Sequence, residues 1–316
     1  MAVLAPTKRS RWRLTPDTRW VLGLNAPALI LTLALVAYPV ASSLWNSLHF
    51  YVLRRPNDVH FIGLENYRYL LTNSDFWAAM GITVAFGIGT VIAVVAIGIG
   101  LALLFNEEWR GRGLARAMLL IPWAIPGVVN GLMWRGLLGK AGGVNSILSG
   151  LHDFALLGAH PFSWVPPMQT WVGDARFALF STGLAAVWKQ VPFAAIIFLA
   201  ALQAILPELH RAARVDGASP WRRFRYVTLP WLLHPLLIVA IFQTMNAFRA
   251  FDIIFKLTGG GPGRATTVIA WRTYIEALRF LNFGTANAYA YLIAVITLGL
   301  TAIYIRVLYR RGTVQA

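Results

Sequence analysis

Charged and amide side chains interrupt two of the most apolar stretches of this 316-residue chain. Lys189 lies in the segment VWKQVPF, and Arg249 and Asp252 lie in NAFRAFD. A charge in an apolar environment is costly unless it meets water or a partner, so such residues are functional candidates. Amides and charges beside an aromatic ring favour a polyhydroxylated ligand, because hydroxyl groups exchange hydrogen bonds and a sugar face packs on the ring. The candidate set is Trp188, Lys189, Gln243, Asn246, Arg249 and Asp252.

No arrangement of side chains in the sequence predicts catalysis or a bound cofactor. The six histidines lack metal-ligand spacing, HExxH and GxSxG motifs are absent, and there is no cysteine. The segment GLLGKAGG has the wrong glycine spacing for a phosphate-binding loop, and GGGPGRAT has no lysine before its threonine. We therefore expect a chain that is not an enzyme and that holds no metal or cofactor. If ATP and Mg drive its activity, another polypeptide must bind them.

The composition places the candidate residues in a membrane protein. Hydrophobic residues make up 58% of the chain and charged residues only 13%, about half of the share in a soluble domain. Six apolar runs without charge are long enough to cross a bilayer as helices, and they lack the two-residue alternation of barrel strands. We predict an all-α integral membrane protein with six transmembrane helices near residues 20–44, 77–105, 114–138, 178–205, 231–255 and 285–307.

The Lys and Arg residues are unevenly distributed over the predicted loops. With a cytoplasmic N-terminus, sixteen of them fall in cytoplasmic segments and nine in external segments. This asymmetry follows the positive-inside rule, so we predict cytoplasmic termini and a multi-pass location in a bacterial cell membrane. Because the topology accounts for the net charge of +16, that charge does not indicate nucleic-acid binding.

This topology divides the chain into a transmembrane domain, 20–307, between two cytoplasmic tails, 1–19 and 308–316. The segment FIGLENYRYLLT, before the second span, is typical of a short amphipathic element at the membrane interface. The longest cytoplasmic loop is 206–230, and the predicted external loops are 46–76, 139–177 and 257–284.

Residue patterns within the spans predict how the helices are shaped and how they meet. Every fourth residue from Gly81 to Ala93 on span two is small, which allows close helix contact within this chain or with another subunit. Pro122 and Pro126 are expected to kink span three, since proline removes a backbone donor and clashes with the preceding turn.

Two interpretations of the charged residues inside the spans stay open. Lys189 lies near the middle of span four, where it either faces a solute pathway or holds a helix–helix contact. Arg249 and Asp252 lie three residues apart on span five and are expected to share a helix face. They line the same pathway or form a structural ion pair near the external boundary.

Loop 206–230 combines a basic charge with a defined order of helix signals. Pro207 is expected to open a helix, and Gly217 to end it with a positive φ. Ser219 and Pro220 then start a second helix as its cap and its first residue. The predicted helix–turn–helix carries five arginines, and its paired alanines and tight turn form a compact knob that fits a groove on another protein.

The same loop resembles the EAA loop of type I ABC importer permeases, in which two alanines precede a glycine and a later Leu-Pro pair. Ala212–Ala213, Gly217 and Leu229–Pro230 occupy these places, whereas Arg211 stands where the family has a glutamate. GGVNSIL after span three and FDIIFKLTGGGPGRAT after span five are similar to the large permease subunit of the maltose-transporter type. The resemblance covers most of the chain and indicates the carbohydrate-import branch.

The resemblance implies the type I ABC importer permease fold, with loop 206–230 as a coupling helix that docks into an ATPase subunit. It implies five kinds of partner: a second homologous permease subunit, two ATPase subunits, an extracytoplasmic solute-binding protein, a carbohydrate and the lipid bilayer. The binding protein would deliver the solute onto the external loops around Pro161–Trp171 and Gly259–Arg264. The implied coupling residues are Arg211, Ala212, Ala213, Asp216, Gly217, Ala218, Ser219, Pro220, Leu229 and Pro230.

Two other functions stay open on the residues alone. A stand-alone secondary carrier or channel would need an ion-coupling site within its spans. A membrane-embedded enzyme acting on a lipid-linked sugar would need a catalytic carboxylate pair or a metal cluster. The EAA-type loop favours the importer subunit over both, with a disaccharide, an oligosaccharide, a polyol or glycerol phosphate as its solute.

Overall fold

The computed structural model describes residues 16–156 and 169–306, which are almost entirely helical. The predicted tails, apart from residues 16–19, and residues 157–168 of the predicted loop 139–177 lie outside this part. Two short strands, β1 (His49–Phe50) and β2 (His60–Phe61), form one antiparallel pair. The helices are α1 (Pro16–Thr32), α2 (Tyr38–Ser47), α3 (Glu65–Thr72), α4 (Ser74–Asn106), α5 (Arg112–Leu119), α6 (Ile121–Ala124), α7 (Gly127–Leu137), α8 (Gly143–Leu156), α9 (Ala175–Gln203), α10 (Pro207–Val215), α11 (Pro220–Arg223), α12 (Leu229–Phe248), α13 (Asp252–Leu257), α14 (Ile269–Tyr274) and α15 (Phe283–Tyr304).

Five continuous helical stretches are long and apolar enough to cross a membrane. Large apolar side chains cover their outward faces, such as Leu24 at 79% exposure and Leu298 at 69%, which suits lipid and would be costly in water. π-helical turns join α1 to α2 and α11 to α12 without breaking the span. The stretches are Gly23–Ser47, Ser74–Asn106, Ala175–Gln203, Pro220–Phe248 and Phe283–Tyr304.

Side-chain caps fix where three of the spans begin. Asn73 accepts a hydrogen bond from the backbone of Asp75 at 2.8 Å, and Asp174 accepts one from Arg176 at 2.9 Å. Asn282 caps α15 in the same way through Thr285 at 3.1 Å. Each cap satisfies a backbone donor that the first helical turn leaves unpaired, so the chain enters the apolar layer with fewer unsatisfied groups.

The core of the bundle lies between spans two and four, where α4 packs along α9. Gly98 allows this approach, because an added Cβ would overlap the side chain of Ala194. Phe198 and Val94 are fully buried beside this contact, and Val239 of span five is buried in the same cluster. A larger residue at position 98 would push the two spans apart.

The small-residue stripe of span two has two different environments. Gly98, beyond the stripe, packs within the chain, whereas Gly81 and Gly89 face open space with nothing within 4 Å of an added Cβ. Ala85 between them is also exposed. Within the described residues nothing packs against Gly81 or Gly89, which leaves lipid or another subunit as the neighbour of that part of the stripe.

Span three is sharply broken rather than gently kinked. The helical stretch Arg112–Ala124 and helix α7 meet at an angle of 98°. Pro126 stands at the start of α7 in an extended conformation, with φ −57° and ψ 146°, so the α-helical hydrogen bonds cannot continue through it. The two prolines were expected to bend this span, and the span is indeed broken at them. Because of this break, α7 packs against α13 and α9.

At the bundle end away from loop 206–230, a buried asparagine joins the connections between spans one, two and six. The side chain of Asn66, on the predicted amphipathic segment, donates to the carbonyl oxygens of Ser47 and His49 at 2.8 and 2.9 Å. Its oxygen accepts from Thr285 at 3.3 Å. Gly284 must be glycine for this arrangement, because an added Cβ would overlap the backbone of His49.

A second buried asparagine fixes the connection between spans three and four. Asn145, at the start of α8, donates to the carbonyl oxygens of Gly139, Lys140 and Gln169 at 3.0 to 3.2 Å. Its side-chain oxygen accepts from the backbone of Gln169 and from the indole of Trp171, both at 3.1 Å. The side chain therefore ties the residues before α8 to those after the loop.

Replacing Asn145 with alanine should lower the stability of the folded protein by roughly 2–4 kcal/mol, because the carbonyls of Lys140 and Gln169 and the N–H of Gln169 lose their partner. The measurement is thermal unfolding of the purified chain in detergent. Ser149→Ala, on the same helix, is the matched control, since Ser149 makes only a local bond to the carbonyl of Ser146. Equal unfolding temperatures for the two variants would contradict this role of Asn145.

Candidate functional site

A cavity of about 170 Å³ lies between spans two, three, four and five, at the break in span three. It brings together five of the six residues predicted to bind a polar solute. The sixth, Trp188, does not line it and instead packs edge-on against Trp134, with ring centroids 5.9 Å apart. Phe86 and Phe251 provide aromatic walls in its place. The polar lining consists of Thr90, Asn130, Lys189, Gln190, Gln243, Asn246, Arg249 and Asp252.

Lys189 pairs with the carbonyl groups that the break in span three leaves free. Its ammonium group donates to the carbonyl oxygen of Trp123 at 3.2 Å and to that of Ile125. These carbonyls belong to the C-terminal end of a helix, which carries a partial negative charge. Of the two interpretations of Lys189, the structure shows the helix–helix contact directly, at a position that also borders the cavity.

Asp252 lies against the start of α7, on the other side of the break. Gly127 provides the space, because an added Cβ there would overlap the carboxylate of Asp252. Gly131, one turn later, packs in the same way against Lys256 of α13. Helices α7 and α13 therefore form a closely packed pair.

The predicted helix face shared by Arg249 and Asp252 is wrong. Helix α12 ends at Phe248, Arg249 follows it in a non-helical conformation, and Asp252 starts the separate helix α13. In the described part of the chain the two side chains form no ion pair. The helix ends where the chain turns toward α7, and neither a Pro nor a Gly stands at that turn to mark it.

Three amide side chains of the cavity carry buried polar atoms that find no partner among residues 16–156 and 169–306. These atoms are the side-chain oxygen of Asn130 and the amide nitrogens of Gln243 and Asn246. The other amide atom of Asn130 donates to the carbonyl of Ala185 at 3.2 Å, so that side chain is held in place. Buried amide groups that lack a protein partner are suited to hydrogen bonds with water or with the hydroxyl groups of a solute.

The sequence interpretation missed Asn130, Gln190 and Thr90, which complete the polar lining. Asn130 carried a usable signal, because it is a polar residue inside the apolar run of span three. Thr90 carried none, since its hydroxyl pairs with its own helix at the carbonyl of Phe86, as threonines in apolar helices commonly do.

Loop 206–230 has the helix–turn–helix order that its residues predicted. Helix α10 ends in a Schellman motif, in which Ala218 N–H donates to Ala213 and Gly217 N–H to Arg214, at 2.9 and 3.1 Å. Gly217 has φ +73°, the left-handed conformation that glycine adopts without strain. The hydroxyl of Ser219 accepts from the backbone of Arg222 at 3.4 Å and caps α11.

The coupling residues implied by the resemblance all lie on this loop, most of them exposed and the rest partly buried. Arg211 pairs with Glu208 at 3.5 Å, so the arginine at the family's glutamate position has a carboxylate neighbour one turn earlier. Large apolar side chains flank the turn, including Val215 at 88% exposure and Trp221 at 66%. Leu229 and Pro230 start α12, which is continuous with span five.

An ion-pair network holds the glycine-rich loop at the opposite end. Asp75, at the start of α4, accepts from Arg264 and from Arg272, the latter at 3.3 Å. Arg272 also pairs with Glu276 at 3.2 Å; burial raises the pKa of Glu276, and the charge of Arg272 opposes this rise. Gly260 has φ +85° and lies against Trp271, where an added Cβ would overlap the indole.

Comparison with known proteins identifies the family. Residues 94–313 match the model of the binding-protein-dependent transport system inner membrane component. The chain is 39% identical over 286 residues to the trehalose/maltose transport system permease protein MalF of Thermococcus litoralis, covering 89% of this chain and 90% of that protein. It is 33% identical over 300 residues to the sulfoquinovosyl glycerol transport system permease protein SmoG of Agrobacterium fabrum, covering 95% and 93%.

The fold agrees with this family. A bacterial alginate ABC transporter, solved in complex with an alginate-bound periplasmic protein, has a chain with a TM-score of 0.77 and 20% identity, over 94% of this chain and 96% of that one. The predicted resemblance to ABC importer permeases is confirmed by the family model, which covers more than half of the sequence. This chain belongs to the family of binding-protein-dependent transport system inner membrane components.

Proposed function

We propose that this chain is one permease subunit of an ATP-driven importer for a carbohydrate or a related polyol. The observation that carries the proposal is the cavity at the break in span three, where three amides each carry a buried polar atom without a partner in the described part of the chain. Such a lining suits a molecule rich in hydroxyl groups. Relatives support the solute class, since their names refer to trehalose and maltose, to sulfoquinovosyl glycerol and to sn-glycerol-3-phosphate.

The proposed complex contains a second homologous permease, two ATPase subunits that bind ATP and Mg, and an extracytoplasmic solute-binding protein. Exposed apolar side chains around the Gly217 turn support the ATPase contact, because they would be buried on docking. The alginate transporter, in which a periplasmic protein is bound, supports the binding-protein contact. A stand-alone secondary carrier is disfavoured, since the family is defined by binding-protein-dependent transport.

The proposed orientation places both termini and loop 206–230 in the cytoplasm. The charge asymmetry of the loops supports it, with sixteen Lys and Arg on that side against nine on the other. The loops 46–76, 139–177 and 257–284 then face outward, where the glycine-rich loop held by Asp75 and Arg264 is available to the binding protein. ATP-driven closure of the ATPase pair would pull on loop 206–230 and open the cavity outward.

Within this mechanism the cavity residues have separate roles. The amides of Asn130, Gln243 and Asn246 bind solute hydroxyl groups, and Phe86 and Phe251 pack on its apolar faces. Lys189 and Asp252 border the solute; Lys189 holds α9 against the end of α6, and Asp252 lies where α13 packs on α7. Since α7 joins loop 139–177 directly, a movement of the external loops reaches the cavity through one short helix.

Affinity purification of the tagged chain from its native membrane tests this function. We expect an ATPase subunit and a second permease to co-purify, and solute uptake in proteoliposomes to require ATP inside. Recovery of the chain alone under gentle detergent conditions, together with uptake driven by a proton or sodium gradient, would overturn the proposal in favour of a secondary carrier.

A further inference from the structure

The junction between loop 206–230 and span five is a π-helical turn, Phe224–Thr228. The backbone N–H of Leu229 donates to the carbonyl oxygen of Phe224, five residues earlier, whereas an α-helix uses the fourth. A π turn thus accommodates one residue more than an α-helical turn, and the helices on either side keep the phase of a helix one residue shorter. Such turns are rare and occur frequently at functional sites.

A proline follows this turn at a fixed distance. Pro230 stands two residues after it, and in span one Pro39 stands two residues after the π turn Leu33–Ala37. Proline has no N–H to donate, and its ring clashes with the carbonyl four residues earlier, here that of Tyr226. A wider turn gives this carbonyl room. Pro235 lies inside α12 without a π turn, so proline favours such a turn but is not sufficient for it.

Packing fixes which face of the turn meets the bundle. Thr228 is buried at 5% exposure, and Val227 packs on the core cluster formed by spans two, four and five. The neighbouring Tyr226 is exposed. Val227 and Thr228 therefore hold the start of span five in place, and the π turn sets how the residues before it are rotated about the helix axis.

The residues before the turn lie beside the ends of spans two and four. The rings of Trp221 and Phe224 stack with centroids 5.6 Å apart, and they line a pocket of about 670 Å³. Leu103 of span two and Leu202 of span four line the same pocket. Each residue of an α-helix turns about 100° around the axis. If an α turn replaced the π turn, both rings and the Gly217 turn beyond them would rotate away from this place.

We propose that Pro230 is a positioning residue for coupling, which sets through the π turn the direction in which loop 206–230 faces the ATPase subunit. This inference rests on the proposed function and adds the element that orients the contact. Span five, which the turn joins to the loop, carries Gln243 and Asn246 of the solute cavity. A change of phase at the turn leaves the loop folded but points it away from its partner.

The variant Pro230→Ala tests this role on the complete transporter. Alanine restores the missing N–H and removes the ring, so we expect an α turn and a loop rotated by about 100°. Solute uptake in proteoliposomes and the stimulation of ATP hydrolysis by solute should fall roughly tenfold or more, because coupled groups that are misplaced by a few Å no longer act together. Pro235→Ala is the matched control on the same helix, and we expect it to keep the uptake of the wild type.

Removal of one residue from the turn separates phase from fold. In Pro230→Ala with Tyr226 deleted, the α turn contains one residue fewer, so the loop returns to its original phase and most of the uptake should return. Tyr226 suits the deletion because its side chain is 70% exposed. An alanine inserted after Tyr226 in Pro230→Ala is the matched control, since it rotates the loop further in the same direction and should restore nothing. If Pro230 served the fold alone, the deletion would add a second defect.

A distance measurement reports the rotation directly. The chain has no cysteine, so two introduced cysteines can carry spin labels without a background signal. Suitable positions are Glu108, after span two, and Arg222 on α11, since both are exposed. We expect the distance between the labels to change by roughly 5 Å or more in Pro230→Ala, because side-chain ends lie about that far from a helix axis. Deletion of Tyr226 should return it to the wild-type value.

Four results would overturn the inference. One is wild-type uptake or an unchanged label distance in Pro230→Ala, and another is an equal loss in Pro235→Ala. A third is no recovery on deletion of Tyr226, measured as uptake or, if Pro230→Ala does not retain the ATPase, as assembly. The fourth is equal recovery by the insertion. None of them affects the proposed importer function, which fails only if the wild-type chain does not co-purify with an ATPase and its uptake does not need ATP.

Discussion

Substituting valine for Gly217 is expected to reduce ATP-driven solute uptake by roughly tenfold or more, because a β-branched residue is strained at a positive φ. The backbone of Gly217 has φ +73° and its N–H closes the Schellman motif of α10. If φ relaxed to a negative value, that hydrogen bond would break and the direction of the backbone through the turn would change. ATP hydrolysis should continue at its basal rate but lose its stimulation by solute, since the change lies in the contact between the subunits.

The matched control for this substitution is Gly217→Asn, because asparagine adopts the left-handed conformation more readily than other side chains. An added Cβ at position 217 meets nothing within 4 Å, so neither variant clashes with its own chain. We expect the asparagine variant to retain most of the uptake. Equal uptake by both variants and the wild type would show that the turn does not transmit force. Equal loss in both would assign the effect to contact with a partner rather than to the backbone.

Lys189→Met is expected to give the second large effect, a loss of uptake of roughly tenfold or more with a lower unfolding temperature. The substitution leaves the carbonyls of Trp123 and Ile125, at the break in span three, without their donor. An unpaired carbonyl costs roughly 1–3 kcal/mol when buried, and we expect the larger share from Ile125, whose bond to Lys189 is partly buried. Uptake in proteoliposomes and thermal unfolding in detergent measure the two consequences.

Two further variants separate the role of Lys189 in the fold from binding of the solute. Lys189→Arg keeps donors and charge and should recover most of the stability, although the planar fork fits the two carbonyls less well. The double variant Lys189→Met with Asp252→Asn should unfold at about the same temperature as Lys189→Met alone, because the carboxylate of Asp252 is exposed and gains little from a nearby cation. A clearly higher unfolding temperature for the double variant would show that the two residues act as a charge pair.

The local chemistry of the sequence determined the shape of loop 206–230. Proline at position 207, glycine at 217 and serine at 219 are signals whose effect depends on their own backbone, so the ends of α10 and α11 could be predicted residue by residue. The same holds for the spans, since about twenty apolar residues must form a helix in lipid whatever surrounds them.

The sequence also identified most of the polar lining of the cavity, and for a related reason. Polar residues such as Lys189 and Gln243 are too costly to leave facing lipid, so their presence inside apolar runs predicted a common interior site. The prediction failed for Trp188, because an aromatic ring is stable in lipid, in the core or in a pocket. Only the surrounding residues decide where such a ring lies, and here Trp188 packs against Trp134.

The tertiary structure alone decided how the charges are arranged. The 98° break in span three frees carbonyl groups that Lys189 satisfies, and the end of α12 at Phe248 separates Arg249 from Asp252. The sequence determined which residues enter the membrane, because that depends on the transfer of each side chain from water to lipid. Which charge meets which partner depends on where two distant helices bend toward each other, and no residue carries that information by itself.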